Sequence, residues 1–421
     1  MPPLDIRQRL NEDHREHFID RRRSRVPVAR VTGRSSGVHR AALRRKKTLK
    51  LMEVMKRQGL DALLLNRIEN VRYSTDFRPV VSLWFQGSYS SIVTSGGESI
   101  LLTVAGDFMR SEYYMPWIED IRVMHQAGRA EELARIFRQY RLSRIGYDQL
   151  SLEDHAALSA AAKGVQLVNA AEEVANERAV KLDEEVKLMQ AASAVTEASI
   201  KAALASAKPG MHEYEISAEG EYAARMLGAE GMSWSLATFS GLNTGLMLRH
   251  DSEKVVRDGE FLILGYATMY RGYNTDITST TIVGRPSEKQ KEVYTATYDS
   301  FIAALESTKP GAMTRDIHEA AERIIKEHGF GKYSFSRIQP ILHGVGMNVY
   351  EPPFSPEPGK REPSMKLRVG HTLAIEPAVT LFDNLKVGGC RIGETLAVTE
   401  SGYRLLSNAS RSDAHETLYE K

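Results

Sequence analysis

Three ionisable side chains stand inside apolar, strand-like sequence. Asp276 is flanked by Thr275 and Ile277, His343 lies in Leu342-His343-Gly344, and Glu376 follows Leu373-Ala374-Ile375. Burying such a group is costly unless it is paired or bound to a metal. Singly, each reads as a solvated or hydrogen-bonded strand end. Together, one imidazole and two carboxylates are a ligand set for a divalent cation. Further polar stretches occur in similar surroundings: Arg249-His250-Asp251, Tyr350-Glu351-Pro352, and Cys390-Arg391-Ile392-Gly393-Glu394. Cys390 is the single cysteine, which excludes an internal disulfide framework and a multi-cysteine zinc site. No dedicated base flanks it, and a lone cysteine is by default a buried structural thiol.

The elements that must position these residues begin near Thr48. Leu51, Met52 and Met55 share one side of a helix that ends near Gly59. Residues 62–65 read as a buried strand, and 91–94 and 100–104 as two more joined by a hairpin at Gly96-Gly97. A helix over 130–140 precedes a strand over 144–147. This alternation predicts a small α/β domain over 48–171. Residues 169–188, rich in Ala, Glu and Lys with alternating charge, predict a solvated helix leading into a second domain, 172–421. That domain contains a repeat. The stretch 198–210, ending Lys208-Pro209-Gly210, recurs with most positions identical as 299–311, ending Lys309-Pro310-Gly311. Each copy is a helix stopped by Pro-Gly. Each is followed by an amphipathic helix (Ile216, Tyr222, Met226 in one, Ile317, Ala321, Ile324, Ile325 in the other) and then by strand-like sequence. Two α-α-β halves around a pseudo-two-fold axis, with a cleft between them, are expected.

The chain has 421 residues, 42% hydrophobic and 26% charged. That composition suits a soluble two-domain protein and excludes disorder as the main state. No apolar run reaches the roughly 18 residues of a membrane span, and the N-terminus lacks a secretory apolar stretch. With so little cysteine, a reducing cytoplasm is the expected compartment. The formal net charge of +2 hides an asymmetry: residues 21–50 carry twelve Arg or Lys and no acid. A basic N-terminal arm, 1–47, is expected. No aromatic interleaves it to stack on bases, so a solvated arm or a strap over a partner subunit is favoured over nucleic-acid binding.

Gly272-Tyr273-Asn274-Thr275-Asp276-Ile277-Thr278, His343-Gly344-Val345-Gly346, Ile375-Glu376-Pro377 and Arg391-Ile392-Gly393-Glu394-Thr395 occur in that order. They resemble the prolidase, Xaa-Pro aminopeptidase and creatinase family, over roughly 48 to 407. Glu69-Asn70-Val71-Arg72-Tyr73 looks like its N-terminal Asn-x-x-Tyr stretch. The resemblance implies an α/β class: a creatinase-like N-terminal α/β domain, then a pita-bread domain of two pseudo-symmetric halves. The family's peptidases hold two metal ions with Asp, Asp, His, Glu and Glu. Asp276, His343 and Glu376 match three of these. Gly265 stands at the first aspartate and Gly393 at the last glutamate, Tyr350 replaces a second histidine, and Ser279 stands where an arginine is usual. A two-ion clamp needs bridging carboxylates, so the expected cofactor is none, or one divalent metal ion. Glu394, one residue past the lost position, is a candidate substitute.

Creatinase-like members hydrolyse a C–N bond without metal, and their catalytic histidine matches His250. A neutral imidazole there can take a proton from water and return it to a leaving nitrogen. The resemblance therefore implies His250, His343 and Glu376 as catalytic residues. Tyr266, Tyr273, Tyr350, Arg391, Glu394, Arg78 and Trp84 are the expected substrate contacts. Tyrosines in strands are also ordinary packing residues. The family's homodimers bring the N-terminal domain near the neighbouring active site, where Arg78 would meet a substrate carboxylate. The leading expectation is a hydrolase of a C–N bond in a small polar non-peptide molecule. The alternatives are a lyase resembling dimethylsulfoniopropionate lyases, which Tyr73-Ser74-Thr75-Asp76 and Leu83-Trp84 suggest, and a non-catalytic pita-bread binding protein.

Overall fold

Helix α1 (Arg40–Gln58) starts inside the basic block and runs through residue 47. Arg40, Arg44 and Lys47 recur at helical spacing, and two of them are turned inward. The Arg44 guanidinium lies 3.8 Å from the Trp117 ring centroid and pairs with Asp76 at 3.2 Å. Lys47 is buried, its Nζ 5.0 Å and 5.2 Å from the centroids of Tyr73 and Tyr273. This half of the block is therefore not a solvated arm, because long aliphatic stems pack while their heads find π faces and carboxylates. Gly59 ends the helix in the left-handed region, φ 63°, returning its N–H to the last turn. The structure is a computed structural model that describes residues 38–78, 89–125, 127–234, 237–247, 250–356 and 364–407. Residues 1–37 of the arm, and Trp84, lie outside them.

Six strands follow: β1 (Ala62–Leu65), β2 (Ser90–Thr94), β3 (Ser99–Thr103), β4 (Asp120–Val123), β5 (Arg144–Tyr147) and β6 (Gln166–Asn169). They form one sheet in the order β4-β3-β2-β1-β5-β6. The hairpin β2–β3 is antiparallel, as its Gly-Gly turn predicts, while β1–β5 and β5–β6 are parallel. Helices α2 (Ile68–Thr75), α3 (Ala105–Tyr114), α4 (Arg129–Gln139) and α5 (Leu152–Ala161) alternate with the strands. The expected helix over 169–188 is two helices, α6 (Ala171–Ala179) and α7 (Asp183–Ser206). Tertiary contacts break it: Val180 bridges to His371, and Lys181 N–H donates to Gly370 O at 2.8 Å.

The repeat is a structural duplication. Helices α7 and α8 (Glu213–Met226) correspond to α9 (Glu288–Glu306) and α10 (Thr314–Glu327). Ser199 Oγ donates to Gly220 O at 2.7 Å, and its counterpart Ser300 Oγ donates to Ala321 O at 3.0 Å. Gly210 and Gly311 both adopt positive φ, 95° and 86°, and donate to Val256 O and Leu367 O. The bridges His212–Val255 and Met313–Lys366 repeat the same join.

The first half continues through β7 (Gly231–Met232), β8 (Ala237–Ser240), β9 (Glu260–Tyr266), β10 (Thr268–Tyr270), β11 (Tyr273–Asn274) and β12 (Ile277–Val283). The second supplies β13 (Leu342–Gly344), β14 (Glu351–Phe354), β15 (Thr372–Ile375), β16 (Ala378–Thr380), β17 (Gly389–Arg391), β18 (Glu394–Thr399) and β19 (Gly402–Leu405). Sheets β12-β9-β8 and β14-β13-β15-β18-β19 meet where Thr278 and Gly393 exchange backbone hydrogen bonds at 3.0 Å and 2.9 Å. No described helix is long and apolar enough to cross a membrane.

Candidate active site

The seam between the two halves carries the ionisable triplet. Asp276 precedes β12, His343 sits in β13 and Glu376 follows β15. Each donor chain is pinned: Asp276 N–H donates to Thr395 Oγ1 at 3.0 Å, whose hydroxyl returns to Asp276 O at 2.8 Å. Glu376 N–H donates to Ile341 O at 2.7 Å. The three residues are 1%, 4% and 3% exposed, and one ligand atom from each lies within 4.8 Å of the others. His343 Nε2 stands 3.3 Å from Asp276 Oδ2 and 3.9 Å from Glu376 Oε2. Its Nδ1 donates to Gly344 O at 3.0 Å, which turns Nε2 toward the carboxylates, as in a metal-ligating histidine oriented from behind.

The carboxylates are treated differently. Both Glu376 oxygens are held: Thr278 Oγ1 donates to Oε1 at 2.8 Å, and Arg391 pairs with Oε2. Asp276 Oδ2 is buried and accepts no well-formed hydrogen bond. Burial pushes the Asp276 carboxyl up, and the Glu376 charge adds to this, to about 7. Burial also pushes Glu376 up, but Arg391 and His343 outweigh it and bring it down to about 2. For His343, burial favours the neutral ring, yet the two carboxylates prevail and raise it to about 9.

The two glycines differ sharply. A Cβ at Gly265 meets nothing nearer than Thr278 Oγ1 at 3.5 Å and Ala237 Cβ at 3.6 Å, which is ordinary contact. A Cβ at Gly393 meets Glu376 Cγ at 2.5 Å and Oε1 at 2.8 Å. Thr278 is the cross-strand partner of both glycines. Glu376 thus leans over Gly393, while a Cβ at Gly265 would fit at ordinary contact.

Among the other expected site residues, Tyr350 and Arg391 reach the triplet. The Tyr350 ring lies 4.6 Å from the His343 ring, centroid to centroid. Tyr266 does not line the cleft: it is fully buried against α8 at Gly220, with its hydroxyl 3.1 Å from Thr238 Oγ1. Strand alternation explains this, since Gly265 faces the seam and its neighbour must face the helices. Tyr273 is likewise turned away, donating to Glu185 Oε1 at 2.9 Å. Glu394 does not stand in for a carboxylate at 393. It is the next strand residue, on the other face, and accepts from Ser407 Oγ. Arg78 donates to Glu230 O at 3.3 Å within the same chain. His250 is exposed, and no hydrogen bond or ion pair among the described residues joins it to the triplet. Its loop is tethered by the buried Glu213, which accepts from Ser240, Asn243 and Ser252. Sequence reasoning missed Thr278 and Glu213. Thr278 had one signal, its place two residues after Asp276 on the same strand face.

Residues 187–400 match metallopeptidase family M24, and residues 47–180 match the creatinase/prolidase N-terminal domain. The chain belongs to family M24. Relatives of this M24 chain include an uncharacterized peptidase of Bacillus subtilis, 28% identical over 365 residues that cover 86% of this chain and 98% of that one. A Xaa-Pro dipeptidase of Pyrococcus horikoshii is 28% identical over 371 residues, 87% of this chain and 97% of that one. The crystal structure of the prolidase from Pyrococcus horikoshii superposes with a TM-score of 0.75 at 25% identity, over 88% of this chain and 99% of that one. The pita-bread architecture expected from the motifs is therefore the fold, and the chain is a creatinase/prolidase-family hydrolase.

Proposed function

We propose that this M24 chain hydrolyses a peptide-type C–N bond in a short substrate, at a centre that holds no more than one divalent ion. The observation that carries the ion count is the pair of glycines. Gly265 offers no ligand, and the place of a side chain at 393 is filled by Glu376 itself. One ion does fit the residues present, because Asp276 Oδ2 is buried without a hydrogen-bond partner and faces His343 Nε2. Asp276, His343 and Glu376 would hold it. A bound divalent ion acidifies water and polarises a carbonyl.

The chain's own residues do the rest. Gly344 O fixes the tautomer of His343, Thr278 and Arg391 fix Glu376, and the Tyr350 ring covers the imidazole. The relatives named Xaa-Pro dipeptidases support a peptide substrate. A non-peptide C–N substrate is the second reading, favoured by the same departure at Gly265 and Gly393. Purified protein should be titrated with Mn2+ or Zn2+ by calorimetry and tested on Xaa-Pro dipeptides. One bound equivalent with dipeptide turnover is expected. Two equivalents would overturn the one-ion centre, and inertness toward every dipeptide would leave the non-peptide reading standing.

A further inference from the structure

Gly265 is an anomaly inside β9. Its neighbours Leu264 and Tyr266 have no exposed surface, yet Gly265 itself is partly exposed, as is Ala237 opposite it on β8. Nothing in the backbone requires glycine there, since Gly265 is not among the positive-φ glycines. Nothing in the packing requires it either, because a Cβ would make only ordinary contacts. The glycine therefore leaves a partly exposed hollow between Thr278 and Ala237, about one side-chain atom wide at its base. One side of it is Thr278 Oγ1, whose proton is committed to Glu376. The other is Ala237, packed against the apolar group Phe239, Met247, Ile263, Phe335 and Ala378. The three atoms nearest a Cβ there belong to Thr278 and Ala237, neither of them charged, and Asp276 stands two residues from Thr278 on the same strand face.

We propose that the hollow over Gly265 is a substrate subsite for a compact, uncharged apolar group carried beside the scissile bond. The proposal rests on the C–N hydrolase reading and names what that substrate looks like. A reacting polar bond lies against Asp276, His343 and Glu376, while a methyl-sized group drops between Ala237 and Thr278. A charged group would lose hydration there without gaining a partner. Gly265 is then a specificity-determining position.

Two experiments test this. The first needs no turnover. Cys390 is the single native cysteine and is fully buried, so a Gly265→Cys variant offers one reactive thiol. Its labelling should be followed with methyl methanethiosulfonate and with the sulfonatoethyl and trimethylammonioethyl reagents, each rate divided by that for free cysteine. The uncharged methyl reagent is expected to lead by about tenfold. An unreactive thiol means no open hollow, and a lead for either charged reagent means a different ligand class. Both outcomes overturn the proposal.

The second experiment compares Gly-Pro, Ala-Pro and Leu-Pro hydrolysis by the wild type, Gly265→Ala and Gly265→Val. The wild type should prefer a compact side chain, and Gly265→Val should erase that preference by about tenfold in the kcat/KM ratio. Equal effects on all three dipeptides overturn the proposal. If labelling behaves as expected but the wild type cleaves no dipeptide, the peptide reading fails and the hollow stands. If dipeptides are cleaved but the thiol is inert, the hollow fails alone.

Discussion

Glu376 is the fixed member of the triplet and Asp276 the uncommitted one, because Thr278 and Arg391 engage both oxygens of the first while Oδ2 of the second accepts no hydrogen bond. That asymmetry makes the two glycines distinguishable by a single methyl. Gly265→Ala should shift the urea midpoint little, since its Cβ makes only ordinary contacts. Gly393→Ala should cost about 1–3 kcal/mol, because its Cβ collides with Glu376 near the root of a side chain anchored at its far end. Equal costs would mean that Glu376 is not held where the structure puts it. Thr278→Val keeps the shape and removes the donor to a buried carboxylate, so a loss of about 1–3 kcal/mol is expected by the same measurement. Asp276, His343 and Glu376 were legible because charge in an apolar run needs a reason. Thr278 was not, since a threonine in a strand needs none. Tyr266 and Tyr273 misled because a sequence shows that aromatics are near a motif but not which strand face they occupy.

At the scale of elements, the Lys-Pro-Gly stops announced a duplication that the hydrogen bonds of Ser199 and Ser300 repeat atom for atom. Ser199→Ala and Ser300→Ala should each cost about 1 kcal/mol, and the double variant should cost their sum, because the bonds lie in separate halves. Strong non-additivity in denaturant titrations would mean that the halves share the strain. The break between α6 and α7 was not legible. Both flanks have helical composition, and the interruption comes from Gly370 and His371, far away in sequence. His371 supplies a pH signature. Burial, then Lys181, Arg368 and Lys50, lower it from 6.5 to about 3, and its Nδ1 accepts from Arg368 N–H at 3.2 Å. The folded state thus keeps the ring neutral while the unfolded chain protonates it. Its stabilising contribution is complete above pH 6.5 and is lost as pH falls toward 3. Relative to His371→Asn, which keeps an acceptor but does not titrate, the wild type should lose roughly 3 kcal/mol between pH 7 and 4. Parallel stability curves for the two proteins would refute this.

At the scale of the molecule, a buried polar chain ties the N-terminal sheet to the pita-bread halves. Asp148, after β5, accepts from Asn70 Nδ2 at 2.7 Å, and Asn70 Oδ1 accepts from Arg178 at 2.9 Å. Arg178 and Lys181 both pair with Glu351 at the start of β14, which also takes Asn348 N–H at 3.2 Å. The sequence offered the parts, Asn70 in one motif and Glu351 in another, but not the link, because the two cations that join them lie in what reads as a solvated helix. Glu351 pairs with two cations that are 4% and 1% exposed in their side chains, and Arg178 also acts on the carboxylate of Glu69. Removing a partner from a buried pair costs more than the pair itself contributes, since the remaining charge is stranded away from water. Glu351→Gln removes the ion-pair partner of both cations and should destabilise by about 3–5 kcal/mol. Arg178→Met leaves Lys181 and Glu351 matched one to one, so it should cost distinctly less. Because this chain of contacts crosses between the sheet and the halves, Glu351→Gln should also widen the separation between the unfolding curves followed by tryptophan fluorescence and by far-ultraviolet circular dichroism. If Arg178→Met proves the more damaging variant, the network is held by the hydrogen bond to Asn70 and not by charge balance at Glu351.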